Sequence, residues 1–238
     1  MKKSFSRVLL YRFITVQKLI DLFENRHLVM VKPSKWIDPF ENIISKVKFR
    51  GKDGISYIEY MDNVYGICFT KAKESNLMWD AYTPNGNGVR IAFEKEKLIN
   101  TFKHSKYRAA QFTFKLVEYK QYSQLISQLE DNERLLRYFS APSNELIRYL
   151  FHKRNEYRYE EEFRIIYDAN IDNTEYNDVL SVPVDPTKII DGIRLDPRMP
   201  DSDCKALTKY LVRHKIDGET IVRSQLYKKK IRKVIRLK

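Results

Sequence analysis

A single α+β domain is the fold this sequence predicts, and three observations carry the prediction. Aromatic and β-branched runs of strand length recur from Arg7 toward the C-terminus. Helical patterns lie between them, including a two-helix block at about 123–153. No internal repeat or low-complexity linker divides the chain, so residues 1–238 read as one domain with a helical insertion in its middle. With 238 residues, 43% hydrophobic and 13% aromatic, the chain is long and apolar enough to bury a full core.

Arg7 to Phe13 reads as the first strand. Thr15 then caps a helix running to about Asn25, with Leu19, Ile20, Leu22 and Phe23 as its apolar stripe. Leu28 to Val31 is a short strand ended by Pro33, and the loop Trp36-Ile37-Asp38-Pro39-Phe40-Glu41 follows. Tyr65 to Thr70 is strand-like, Ser75 caps a helix over Asn76 to Tyr82, and the turn Pro84-Asn85-Gly86-Asn87-Gly88 leads into a strand from Val89 to Phe93. Phe112 to Tyr119 is a further strand. From Ser123 to Lys153 two helices are parted near Ala141-Pro142-Ser143, with Ser143 as the second N-cap. Beyond them, Val179 to Val184 and Ile189 to Leu195 are extended, Ser202 to His214 is helical, and the basic end, about 219–238, is extended again.

Only 7 glycines occur, and neither a G-x-G-x-x-G nor a Walker A sequence is present, which weighs against Rossmann and P-loop chemistry. The basic start, Met1 to Arg7, is followed by an apolar run broken at Arg12 with no small-residue cleavage site, and no stretch is long and apolar enough to span a bilayer. A cytoplasmic protein without a membrane partner is the expectation. Cys68 and Cys204, with histidines at 27, 104, 152 and 214, form neither a disulfide framework nor a metal pattern, so no metal is expected.

The net charge of +13 is unevenly placed. From Lys205 onward, twelve Lys and Arg stand against Asp217 and Glu219 alone. The densest part holds Lys228, Lys229, Lys230, Arg232 and Lys233, a density that suits phosphate backbones, where each neutralised phosphate releases counterions. The alternative is a solvated basic edge strand whose lysines block aggregation, and the interleaved Ile231, Val234, Ile235 and Leu237 indicate that the segment also packs.

The most informative stretch is Tyr157-Arg158-Tyr159-Glu160-Glu161-Glu162-Phe163-Arg164. Its continuation through Ile165, Ile166 and Tyr167 calls for a β-strand, whose alternation sets Glu160, Glu162 and Arg164 on one face and turns Phe163 and Ile165 to the core. Three adjacent carboxylates repel one another and are poor strand formers, so a fold that keeps them gains nothing in local propensity. They mark a candidate site. The plainer alternative is a solvated strand face with Glu–Arg cross-strand pairs.

The order of motifs resembles a known family. Leu10-Tyr11-Arg12-Phe13, Asp38-Pro39-Phe40-Glu41, Ile67-Cys68-Phe69-Thr70, Met78-Trp79-Asp80-Ala81-Tyr82 with Gly88, and Tyr159-Glu160-Glu161-Glu162-Phe163-Arg164 follow one another as in the bacterial domain of unknown function 2971 family. Arg12 stands where a histidine is common, and Ile37 where an asparagine usually precedes Asp-Pro. A second resemblance is to the ADP-ribosyltransferase fold, with a Tyr-Arg on the first strand, a hydroxyl on a middle strand, an aromatic on a helix and a late-strand glutamate.

That second resemblance implies a mixed or antiparallel β core with flanking helices, and NAD as substrate. It implies that Tyr11 and Arg12 hold the NAD ribose or phosphates, that Thr70 supports the site, and that Trp79 or Tyr82 stacks on nicotinamide. Glu162, with Glu160 and Arg164 beside it, is then the catalytic group. Breaking the nicotinamide–ribose bond develops positive charge at the anomeric carbon, and a fixed carboxylate there is worth about 10²–10³ in rate.

Combined with the basic C-terminal segment, the reading becomes transfer of ADP-ribose to nucleic acid, RNA or DNA, in a toxin-like or phage-defence role that leaves room for an inhibitory antitoxin-type protein partner. Two other readings stand beside it. One is a metal-dependent nuclease with Asp38, Glu41, Glu160 and Glu162 on Mg²⁺, which lacks a tight Asp…Glu-x-Lys arrangement because Arg164 follows Glu162. The other is a non-catalytic basic module that binds nucleic acid.

Overall fold

A computed structural model describes residues 7–36, 38, 40, 41, 43, 48–51, 54–57, 59–130, 142–172 and 177–228. Among them, nine strands form one sheet. β1 (Leu9–Thr15) lies antiparallel to β6 (Gly88–Glu94) along its whole length, and β6 continues to β12 (Ile190–Leu195), which pairs in parallel with β13 (Ile221–Arg223). On the other side, β5 (Val64–Thr70) is zipped antiparallel to β10 (Glu162–Asp168), and β10 to β7 (Phe112–Leu116). β2 (His27–Val31) carries β11 (Val179–Pro183). The two halves barely touch. β5 meets β1 only at Tyr11–Thr70 and β2 only at Val31–Gly66, so the sheet is forked where these strands part. A mainly antiparallel α+β domain agrees with the sequence expectation.

Helix α1 (Val16–Asn25) begins where Thr15 accepts the Lys18 N–H and ends where Arg26 turns left-handed at φ 53°. Its Leu19, Leu22 and Phe23 join Leu10, Ile67, Phe69, Ile91, Phe93, Phe163 and Ile165 in the main core, which Leu207 and Leu211 of the helix Asp201–Arg213 close from the same side. Each such side chain contributes about 1.5–3 kcal/mol by leaving water. α2 (Asn76–Tyr82) starts on Ser75 as expected, the serine oxygen accepting the Met78 N–H at 3.2 Å.

The opposite face of β5 and β10 is covered by the helical insertion. α4 (Tyr122–Glu130) and α5 (Pro142–Tyr149) belong to it, and Leu146, Ile147, Leu150 and Phe151 pack on Val64 and Ile166. α3 (Lys95–Lys103) follows β6, and among the described residues two small sheets accompany the main one, β3 (Lys48–Gly51) with β4 (Gly54–Tyr57) and β8 (Glu118–Lys120) with β9 (His152–Arg154). β10 is thus buried on both faces along its length.

Several expectations are corrected. The acidic run is not strand throughout: Asn155–Glu160 is a 3₁₀ helix, Glu161 adopts φ 41°, and the strand starts at Glu162. Ser143 lies inside α5 rather than capping it, because Pro142, whose fixed φ suits a first turn, already begins the helix. Phe112 to Tyr119 breaks at Val117 into β7 and β8. Of the basic end, Ile221–Arg223 is strand and Lys228 is exposed, whereas Lys229, Lys230, Arg232 and Lys233 lie outside the described residues.

Candidate active site

The register of the fork aligns the residues singled out in the sequence. Tyr11 of β1 faces Thr70 of β5, and Thr70 faces Glu162 of β10. One step on, Cys68 faces Arg164. Alternation puts this row on the face away from Phe69, Phe163 and Ile165. The left-handed Glu161 then reverses the chain, so that Glu161 points to solvent while Glu160 and Glu162 are each only 4% exposed. The turn is pinned from several sides: the Thr70 hydroxyl donates to the Glu160 carbonyl, Lys71 N–H donates to the Glu161 carbonyl at 3.0 Å, and Tyr119 accepts the Glu162 N–H at 2.9 Å.

Beneath this row lies a buried charge network. Arg164, fully buried, grips Glu162 with both ends of its fork, Nε to Oε1 at 2.6 Å and Nη2 to Oε2 at 2.9 Å, and reaches Glu41 at 3.0 Å. Its guanidinium stacks 4.4 Å from the Trp36 ring, which lies against β5 because Gly66 has no Cβ; one there would stand 2.5 Å from the indole. Lys153 Nζ sits among three carboxylates, 2.5 Å from Glu160, 2.8 Å from Glu41 and 3.1 Å from Glu162. Tyr82 donates its phenol to the other Glu160 oxygen at 3.0 Å.

The carboxylates are therefore unequal. Burial pushes Glu162 upward, but Arg164 and Lys153 overcome it and hold the group down at about 2. Glu160 is pushed above its ordinary value by burial, which outweighs Lys153 and Tyr82, and Glu41 is raised for the same first reason. Lys153 and Arg164 are both held above their usual ranges by the surrounding glutamates in spite of burial. Burial, with Glu162 next, pushes the Cys68 thiol well up, so it is not a thiolate nucleophile. Tyr119 is raised to about 12, first by burial.

A cavity of about 220 Å³ opens where β1 and β5 part, lined by Tyr11 to Ile14, Cys68 to Thr70, Lys18, Met78, Tyr82, Glu160 and Glu162. Consecutive residues of both strands line it, which a closed ladder would not allow. Arg12 lies over the Phe69 ring at 5.9 Å and has no carboxylate partner among the described residues. Burial lowers its pKa from the ordinary arginine value. A second hollow, about 310 Å³, shares Cys68, Tyr82, Glu160 and Glu162 and extends toward Trp36, Asp38, Tyr157 and Tyr159.

The structure thus brings Tyr11, Arg12, Thr70, Tyr82, Glu160 and Glu162 to one cavity. Two residues are corrected. Trp79 is fully buried, edge-on to Phe13 at 4.9 Å with its indole N–H on Glu74, and presents no face to a ligand. Arg164 lines neither hollow and acts on Glu162 and Glu41 from below. The carboxylates of the nuclease reading already meet cations, Asp38 pairing with Arg154 at 3.1 Å and the glutamates with Lys153 and Arg164. Among the described residues, no group of three or more His, Cys, Asp or Glu could hold a metal ion. Lys153 was missed because a basic run, His152-Lys153-Arg154, carries no sign of which member turns inward, and Lys18 because it reads as the polar face of α1.

The family described as a protein of unknown function (DUF2971) matches residues 78–165, from α2 into β10, in agreement with the resemblance drawn from the motifs. No curated protein matches the chain. Among solved structures, DarT from Thermus sp. 2.9 is similar at 11% identity in complexes with NAD⁺ (TM-score 0.42, 92% of this chain and 96% of that one), with carba-NAD⁺ (0.41, 93% and 97%) and with ADP-ribosylated ssDNA (0.42, 92% and 95%). Among the described residues no helix is long and apolar enough to cross a membrane.

Proposed function

We propose that the protein transfers ADP-ribose from NAD to nucleic acid, with Glu160 as the reacting carboxylate. The observation that carries the reading is the cavity of the fork, whose lining includes a guanidinium with no carboxylate partner among the described residues and a carboxylate with acceptor capacity to spare. Arg12, helped by the exposed Lys18, suits a pyrophosphate or ribose hydroxyls, since a guanidinium offers a fixed fork of donors. Tyr82, 38% exposed, offers the ring surface that Trp79 does not.

Glu160 is preferred to Glu162 on a count of lone pairs. Glu162 spends its acceptor sites on Arg164 twice, on Lys153 and on the Cys68 thiol, while Glu160 receives one bond on each oxygen and keeps lone pairs free. When the nicotinamide–ribose bond breaks, its electron pair leaves with nicotinamide and the anomeric carbon becomes positive. Glu160 answers that charge, the acceptor's nucleophile bonds to the carbon, and the acceptor's proton passes to Glu160. Two neighbouring carboxyls driven to opposite sides of their ordinary values suit such a division of labour.

A nucleic-acid acceptor is supported by the net charge of +13 and its concentration toward Lys228 and the residues after it. Unrestrained, such an enzyme damages the nucleic acid of its own host, which is the basis for a toxin-like or phage-defence role. The test is mass spectrometry of single-stranded DNA, RNA and protein after incubation with the enzyme and NAD. An ADP-ribosyl adduct on nucleic acid is expected, and an adduct on protein alone refutes the acceptor.

A further inference from the structure

We infer that Lys153 is a positioning residue of this site: its buried ammonium sets the orientation of Glu160 and keeps it ionised inside the cavity. The inference rests on Glu160 being the reacting carboxylate. Lys153 lies on β9 at the end of the helical insertion, opposite Tyr119 of β8, and is only 7% exposed. Its neighbours on the small sheet turn elsewhere, His152 and Lys120 to Glu118 and Arg154 to Asp38. Lys153 alone of the run reaches the carboxylates.

Charge accounting separates a positioning role from a merely neutralising one. Glu162 and Glu41 have Arg164 as well as Lys153, but among the described residues Lys153 is the sole cation paired with Glu160. The other groups facing Glu160 are Glu162 on β10, Tyr82 on α2, Tyr119 on β8 and Tyr159 on its own turn. Beyond them, Glu41 and Cys68 are neutral or negative, and Arg164 is committed to Glu162 and Glu41. Burial and Glu162 both favour the neutral acid, while Lys153 and the Tyr82 phenol favour the anion, and of these two only Lys153 brings a charge. An opposite charge this close lowers a carboxyl pKa by about 1–3 units. Lys153 Nζ also bridges Glu160 and Glu162, so one atom fixes the separation of the two groups.

The test compares the parent with Lys153→Met and with Lys153→Arg. Because Lys153→Met leaves three buried glutamates on one arginine, the charge-balanced double variant Glu41→Gln/Lys153→Met is made as well and its melting checked. The acid limb of kcat for NAD hydrolysis is expected to move up by at least about one pH unit in both Met variants, with KM for NAD little changed, so that the deficit shrinks as pH rises. Lys153→Arg should restore the parent limb. A loss of equal size at every pH overturns the inference. The carboxyl ¹³C resonance of Glu160, assigned with Glu160→Gln, gives a readout without turnover. A higher midpoint in the double variant than in the parent supports the role of Lys153 even if NAD is not the substrate, and an unchanged midpoint overturns it.

Discussion

Replacing Glu162 with glutamine should damage the fold, whereas the same change at Glu160 should damage chiefly the chemistry. Arg164 is fully buried, and Glu162 takes both ends of its fork at 2.6 and 2.9 Å. Glu162→Gln leaves that guanidinium with Glu41 as its one carboxylate, at 3.0 Å. Removing one partner of a buried ion pair costs about 3–5 kcal/mol. The depressed pKa of Glu162 is of matching size: a carboxylate held at about 2 instead of the ordinary 4.5 corresponds to about 3 kcal/mol of stability. Because the folded value is depressed, that stability is fully present above pH 4.5 and is lost as the pH falls toward 2. Glu160 and Glu41 lie above their ordinary values and act in the opposite sense, so the comparison belongs at neutral pH. For a chain of this size 1 kcal/mol moves the melting temperature by about 2–4 °C, which gives a drop of roughly 10 °C for Glu162→Gln. Glu160→Gln keeps an amide oxygen for Lys153 or Tyr82 and should cost about 1 kcal/mol. Thermal melting followed by circular dichroism decides. Glu162→Gln melting within about 2 °C of the parent, or Glu160→Gln melting lower than Glu162→Gln, refutes the reasoning.

The remaining site residues divide in the same way. Arg12→Met should raise KM for NAD by about 10- to 100-fold, the worth of one charge-assisted hydrogen bond, and leave the melting temperature unchanged, since no carboxylate among the described residues is stranded; unaltered steady-state kinetics would remove Arg12 from the site. Trp79→Ala should cost about 3–5 kcal/mol as a core truncation, while Trp79→Phe, if it folds, should bind NAD like the parent in calorimetry; selective loss of NAD affinity in Trp79→Phe would return the indole to the ligand.

Much of this site was legible in the sequence because strand alternation is local. The pattern of Glu162, Phe163, Arg164 and Ile165 fixes which side chains face the core, and β10 obeys it. The N-caps at Thr15 and Ser75 were readable for the same reason, since each hydroxyl bonds within three residues. What was not legible depends on partners distant in sequence. Glu160 reaches the cavity through a left-handed residue that no glycine announces, held by Thr70 and Tyr119. Glu41 and Lys153 are brought to Glu162 by the fold alone, so its full neutralisation was invisible, and with it the reason to prefer Glu160. The fork between β1 and β5 that opens the cavity is a failure of pairing, and single-strand patterns carry no trace of it.

The proposed reaction is cleavage of NAD in the fork cavity with Glu160 as the reacting carboxylate. Release of nicotinamide from NAD, followed by chromatography with single-stranded nucleic acid present, tests it most directly when parent and Glu160→Gln are compared at one neutral pH. Steady release by the parent is expected, with a rate lower by about 10²-fold or more in a Glu160→Gln protein that melts near the parent. No release by the parent, or equal release by the two proteins, would contradict it.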